Sequence, residues 1–249
     1  FMAAIQPQTI ADSLFRRIED ARYMKKFTPM FINRLLSDIE KLKLILPDLA
    51  WSMEGSVYAL ANQESKAIFA CQKSIELNHS ASNIYNLGFT YEIFNQFELA
   101  LDCYRQAFQI ARNGDIKILR TLEGRLMNFF AYDDLTPIKT ELDKCKIKHN
   151  IDIITKLNKV FGSGRLMLDF GLEVNRLINQ HIVSRFIIGT EFREIDERLH
   201  IVNLVQYVDD EDLEKIVECN ANLSDLFAEF AEKNHLDLDC LYLYCEAYK

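Results

Sequence analysis

NIYNLGFTYEIFNQFELALDCYRQA, residues 83–107, is the stretch that decides the fold. Ile84, Leu87, Gly88 and Tyr91 recur at the three- and four-residue spacing that gathers side chains on one face of a helix. Ala100, Tyr104 and Ala107 repeat that spacing in a second helix, beyond the Asn95-Gln96 break. Moving back 33 residues finds a fainter copy, because Trp51, Gly55, Tyr58 and Ala67 precede Ile84, Gly88, Tyr91 and Ala100 by that interval. Self-similarity at such a period means that one helical hairpin stacks on another, since a single hairpin cannot bury its apolar face alone.

These residues resemble the tetratricopeptide repeat family over roughly 47–147, the second copy more closely than the first. The resemblance implies helices near 48–61 and 64–77 in one repeat and near 82–94 and 97–111 in the next. Asn62-Gln63 and Asn95-Gln96 form matched turns, and Asn113-Gly114 ends the second repeat by offering a left-handed position. Gly55, Gly88, Ala67 and Ala100 are then packing residues at close helix crossings. Family members use the inner face of the first helix of each pair as a concave surface for protein segments. Carried onto this chain, that face offers Ser52 and Ser56, then Tyr85, Asn86 and Phe89, then Arg125 and Asn128. Tyr85 and Phe89, one turn apart, are the expected anchors; core packing against a neighbouring helix or a docked C-terminal domain accounts for them equally. The Lys/Asn clamp that some relatives use for a terminal carboxylate is absent, so recognition of chaperone tails is not expected.

Outward from the repeats, Ile10, Leu14, Ile18, Ala21 and Tyr23 mark a helix within 8–27. Thr28-Pro29 then caps and opens a second helix carrying Phe31, Leu35, Ile39, Leu42 and Leu46. Downstream, Ile116 to Phe130 and Leu135 to Cys145 read as a third, degenerate pair, and Ile151 to Phe161 as one more helix. Gly162-Ser163-Gly164 is the expected boundary between a helical-repeat domain at 2–161 and a small α+β domain at 165–249, Phe1 ahead of Met2 reading as an expression remnant. In the second domain a helix from Leu166 is followed by strands at Ile182–Gly189 and Leu199–Val208. A helix with Asp209-Asp210-Glu211-Asp212 in its first turn comes next, then a strand in which Leu241, Leu243 and Cys245 alternate with Tyr242, Tyr244 and Tyr248. The expected fold is therefore mostly α, a helical superhelix followed by a helix-strand-strand-helix-strand unit, with an all-α chain as the alternative. Packing beneath helices is the favoured reading of the tyrosine row.

A formal charge of −8 disfavours broad nucleic-acid and membrane-surface binding. The basic stretch Arg16, Arg17, Arg22, Lys25 and Lys26 is interleaved with Asp12, Glu19 and Asp20, as on a solvated face. Cys71, Cys103, Cys145, Cys219, Cys240 and Cys245 lack C-x-x-C spacing and read as reduced core residues of a cytoplasmic protein without membrane spans. His79, His149, His181, His200 and His235 form no metal-binding pair, and neither a phosphate loop nor a nucleophile elbow occurs. No cofactor, metal or catalytic set is expected. The function implied is a non-catalytic adaptor or regulator that binds a protein or peptide segment, with a homo-oligomer possible. The alternatives are a secretion-type chaperone, or an enzyme with an interdomain site.

Overall fold

A computed structural model describes residues 7–22, 28–112, 114–182, 187–195, 198–206, 210–237 and 241–248. Tyr23, Lys25, Lys26, Asn113, Val208, Asp209, Cys240 and the side chain of Tyr248, all named above, lie outside the described residues. The chain divides into two compact units, 1–110 and 111–249.

The first unit opens with α1 (Pro7–Arg22), α2 (Pro29–Lys43) and α3 (Pro47–Leu60), and continues with α4 (Glu64–Leu77), α5 (Ala81–Ile93) and α6 (Phe97–Ala111). Thr28 caps α2 by accepting a hydrogen bond from the Phe31 amide at 3.2 Å, and Pro29 fills the first turn, where its missing N–H is harmless. Leu14, Ile18, Leu35, Ile39, Leu42, Met53 and Val57 then form one core beneath α1, α2 and α3. Of the basic stretch, Arg16 is exposed, whereas Arg17 turns to α2 and pairs with Asp38 at 2.8 Å.

The two repeats close on identical turns. Asn62 and Asn95 take left-handed φ of 56° and 62°. The next amide reaches back along the helix to close a Schellman motif, Gln63 to Tyr58 and Gln96 to Tyr91, each at 2.9 Å. Asn tolerates this conformation better than other side-chain-bearing residues because its short polar group bonds locally. The small residues sit where the helices cross: a Cβ on Gly55 would lie 2.5 Å from Cys71 Sγ, and one on Gly88 would lie 2.8 Å from the Tyr104 ring.

The second unit comprises α7 (Ile116–Asn128), α8 (Tyr132–Lys144), α9 (Asp152–Phe161), α10 (Gly164–His181), β1 (Ile187–Ile195), β2 (Arg198–Gln206), α11 (Asp210–Asn234) and β3 (Leu241–Tyr248). The sheet order is β1-β2-β3, antiparallel then parallel, with α11 as the crossover. A phenylalanine cluster fills its helical layer, with Phe170 centred 5.3 Å from Phe161 and 4.9 Å from Phe230. Phe170 also stacks on Phe130 at 6.0 Å, and Gly171 lets α10 approach the turn after α7, since a Cβ there would lie 2.2 Å from the Phe129 carbonyl oxygen. Gly162-Ser163-Gly164, expected as a domain boundary, is a helix-to-helix turn inside this unit. Gly162 at φ 69° ends α9, and Ser163 Oγ accepts from the Leu166 amide to start α10.

The first strand differs from expectation. Ile182 is the buried C-cap of α10, and the strand begins at Ile187 rather than 182, running to Ile195 through a polar stretch. Those polar residues are held across the sheet: Thr190 donates to Asn203 Oδ1 at 2.8 Å and Arg193 reaches Glu246 at 2.6 Å. Cysteine placement is corrected once. Cys71, Cys103, Cys219 and Cys245 are buried as expected, whereas Cys145 is exposed at the end of α8, beyond its last buried residue Leu142.

Candidate functional site

The α3–α5 seam is tied by side chains that the repeat spacing puts in register. Asn86 donates to Ser52 Oγ at 2.7 Å, and Ser56 Oγ, one turn on, donates to the Ser52 carbonyl at 3.3 Å. Thr90 donates to the Asn86 carbonyl at 2.9 Å and meets Cys71 Sγ on α4 at 3.3 Å. Burial pushes the Cys71 thiol up to about 11, against the Thr90 hydrogen bond, so it is a neutral packing group rather than a nucleophile. Asn83, one turn earlier, donates to the carbonyls of Ser74 and Asn78 at 3.3 and 2.9 Å and fixes α5 on the end of α4.

These contacts sort the expected binding residues. Ser52 is buried at 3% exposure, and its hydroxyl is taken up by Asn86, so both belong to the seam. Tyr85 is half-buried, one ring face stacked on the fully buried Tyr104 of α6 at 5.5 Å, where Tyr104 in turn donates to Glu92 at 2.5 Å. Ser56 and Phe89, equivalent at the repeat interval, are half-buried on α3 and α5. Arg125 and Asn128 lie on α7 in the second unit, where both are half-buried and the Asn128 carbonyl accepts from Asn175 at 2.8 Å. The structure thus brings Ser52, Ser56 and Asn86 together, and sets Tyr85 against the second helix of its own repeat.

Another face of the first unit went unread in the sequence. A groove of about 510 Å³ opens between α4 and α6 over α5, with Ile75, Ile84, Leu87, Tyr91 and Leu99 as its apolar lining and Glu76, His79 and Asp102 among its polar groups. Leu99 is 47% exposed there. The available signal was the stripe Ile84, Leu87 and Tyr91, which repeat packing absorbed.

In the second unit the tyrosine row is corrected. Leu241, Leu243 and Cys245 are the buried members of β3, Cys245 Sγ lying 4.0 Å from Cys219 Sγ of α11. Tyr242 is 39% exposed and stacks on His200 at 4.8 Å. Among the described residues no group of three or more His, Cys, Asp or Glu side chains could hold a metal ion. Asp212 lies in the first turn of α11, where an acidic group favours the helix N-terminus; the side chains of Asp210 and Glu211 lie outside the described residues. No described helix is long and apolar enough to cross a membrane.

Residues 81–113 match the model of the tetratricopeptide repeat family. No curated protein and no solved structure matches the chain. The matched segment is α5, its turn and α6, the pair whose Gly88 crossing and Asn95 turn are described above.

Proposed function

We propose that this chain, which carries a tetratricopeptide repeat at residues 81–113, is a non-catalytic adaptor or regulator that holds a segment of another protein on the inner face of its helical repeats. Repeats of this family mediate protein–protein contacts and are typically not enzymatic. The supporting observation is the half-open surface at Ser56 and Phe89, on the first helices of two successive pairs, whose neighbours Ser52 and Asn86 are bonded to each other and so hold the two helices in fixed register. A preorganised surface binds with less ordering cost than one that must assemble around its ligand. Phe89 is the anchor in this reading, and Tyr85 supports it by fixing α5 on α6. Arg125 and Asn128 serve the third helix pair in the same way. We place the protein in the cytoplasm, acting on protein partners rather than nucleic acid or membranes.

The groove between α4 and α6 favours a second location for the same activity, because it presents an apolar floor with polar walls. Photo-crosslinking residues placed at 89 and, separately, at 99 in the full chain within its own cells decide between the two. A discrete adduct from position 89 and none from 99 supports the inner face. The reverse pattern moves the site to the groove, and adducts from neither overturn the binding proposal.

A further inference from the structure

The sheet of the second unit has two edges, and they are finished differently. Along β3 the Asn220 side chain of α11 acts as a neighbouring strand would: its Nδ2 donates to the Cys245 carbonyl at 2.9 Å and its Oδ1 accepts from the Cys245 amide at 2.6 Å. β1 has β2 as its strand neighbour, and among the described residues its place in the sheet order leaves its other side at the edge. An antiparallel strand directs the N–H and C=O groups of alternate residues toward its partner and the rest away from it, so a row of outward groups runs along β1.

We propose that β1 is a self-association edge, and that two copies of this chain pair antiparallel about Phe192 to make one continuous six-stranded sheet. The sequence Thr190-Glu191-Phe192-Arg193-Glu194 is charge-complementary to its own reverse in that register. With Phe192 opposite Phe192 of the second copy, Glu191 faces Arg193 of the second copy and Arg193 faces Glu191 of the second copy, so the two-fold axis generates two opposite-charge pairs. Facing residues then lie an even number of positions apart, which makes outward-directed backbone groups meet outward-directed ones.

The neighbouring registers fail by charge. Centring on Arg193 sets two arginines opposite each other, and centring on Glu191 sets two glutamates opposite each other, arrangements that cross-strand pairing disfavours. Registers centred between two residues set outward backbone groups against inward ones. Charged residues on an edge ordinarily guard against pairing; here their order favours the Phe192-centred pairing over the registers on either side of it. Glu191 is exposed and Arg193 half-exposed. Within one chain Arg193 holds Glu191 at 2.8 Å and Glu246 of β3 at 2.6 Å, so pairing exchanges the internal Glu191 contact for the same contact across the two-fold axis.

Light scattering coupled to size exclusion on the full chain tests this. The wild-type chain should elute at twice its 29.0 kDa mass, and Arg193→Glu and Glu191→Arg should each weaken association by at least about tenfold, eluting at 29.0 kDa. An equimolar mixture of the two variants should restore the doubled mass, because two glutamates on one strand then face two arginines on the other. A wild-type chain at 29.0 kDa over the accessible concentration range overturns the proposal, as do variants that stay dimeric or a mixture that stays monomeric. Circular dichroism checks that each variant is folded. Should either unfold, hydrogen exchange on the wild-type chain replaces the variant arms: amides of 190–194 must gain protection with rising concentration, and concentration-independent exchange there refutes the pairing.

Discussion

Gly88→Leu tests the helix crossing on which the repeat rests. A Cβ at this position would lie 2.8 Å from Tyr104 Cε1 and 2.9 Å from Cys103 Cβ, whereas ordinary contact begins at 3.4 Å. The first added carbon therefore needs roughly half an ångström of clearance from each. Neither neighbour yields readily: Tyr104 is 0% exposed, stacked on Tyr85 and bonded through its hydroxyl to Glu92, and Cys103 Cβ is fixed to the α6 backbone. Overpacking a dense interior costs about 1–3 kcal/mol, while replacing a helical glycine returns about 0.5–1 kcal/mol of backbone entropy. Gly88→Ala should accordingly lose about 0.5–2 kcal/mol. Gly88→Leu, with three further carbons and nowhere to put them, should lose more than about 3 kcal/mol. The chain's one tryptophan, Trp51, lies in the first unit with Lys43 Nζ 3.5 Å above its ring, so its fluorescence in a urea titration reports that unit. Gly124 is the internal control: it occupies α7, and a Cβ added there would meet nothing within 4 Å, so Gly124→Ala should gain about 0.5–1 kcal/mol, read by circular dichroism. If Gly88→Leu unfolds at the wild-type urea midpoint, the crossing is misassigned; if Gly88 and Gly124 respond alike, close approach is not what sets the difference.

Two further outcomes follow from the first unit. Asn95 sits at φ 62°, so Asn95→Val should cost about 1–2 kcal/mol and Asn95→Gly should cost nothing or stabilise slightly; equal thermal midpoints for the two variants would contradict the left-handed turn. The Arg17 hydrogen bond, with a second from Lys41, holds the Asp38 carboxyl below its ordinary 3.8 despite burial raising it. Its contribution is present above the unfolded pKa and is lost as pH falls through the lower folded value. Asp38→Asn should therefore destabilise by less than about 1 kcal/mol at pH 7 and converge with the wild type in strong acid, and a stability gap that is constant with pH would refute the pairing.

How much of this was legible depended on whether a residue's role is set by its own spacing or by a distant partner. The helices of both repeats, their matched Asn turns and the Thr28-Pro29 start were readable, because apolar period and turn chemistry are local. β1 was displaced because its polar residues look like a loop until Asn203 of β2 is brought opposite Thr190 and Glu246 of β3 within reach of Arg193. The candidate site was half legible for the same reason. Spacing located Ser52, Tyr85, Asn86 and Phe89 on first helices, but only three-dimensional pairing shows that Ser52 and Asn86 satisfy each other and that Tyr85 leans on Tyr104. The groove between α4 and α6 is a property of two helices that are not consecutive, and no single helix pattern encodes it.

Phe130 shows the limit most sharply. It takes φ 53° at the turn after α7, the place filled by Asn62 and Asn95 in the two repeats, and the Ala131 amide closes the same backward bond to Leu126 at 3.0 Å. The third pair therefore ends its first helix as the others do, with a residue that turn chemistry would reject, since a bulky side chain in the left-handed region costs about 1–2 kcal/mol. What holds it there is outside the turn: the ring is 2% exposed, stacked on Phe170 of α10 and edge-on to Phe192 of β1 at 6.3 Å. Burying a phenylalanine is worth about 1.5–3 kcal/mol, enough to offset the backbone. In the repeats an asparagine ends the helix for local reasons; in the third pair the same geometry is imposed by the α+β layers packed upon it, which is why the period fades there while the turn survives.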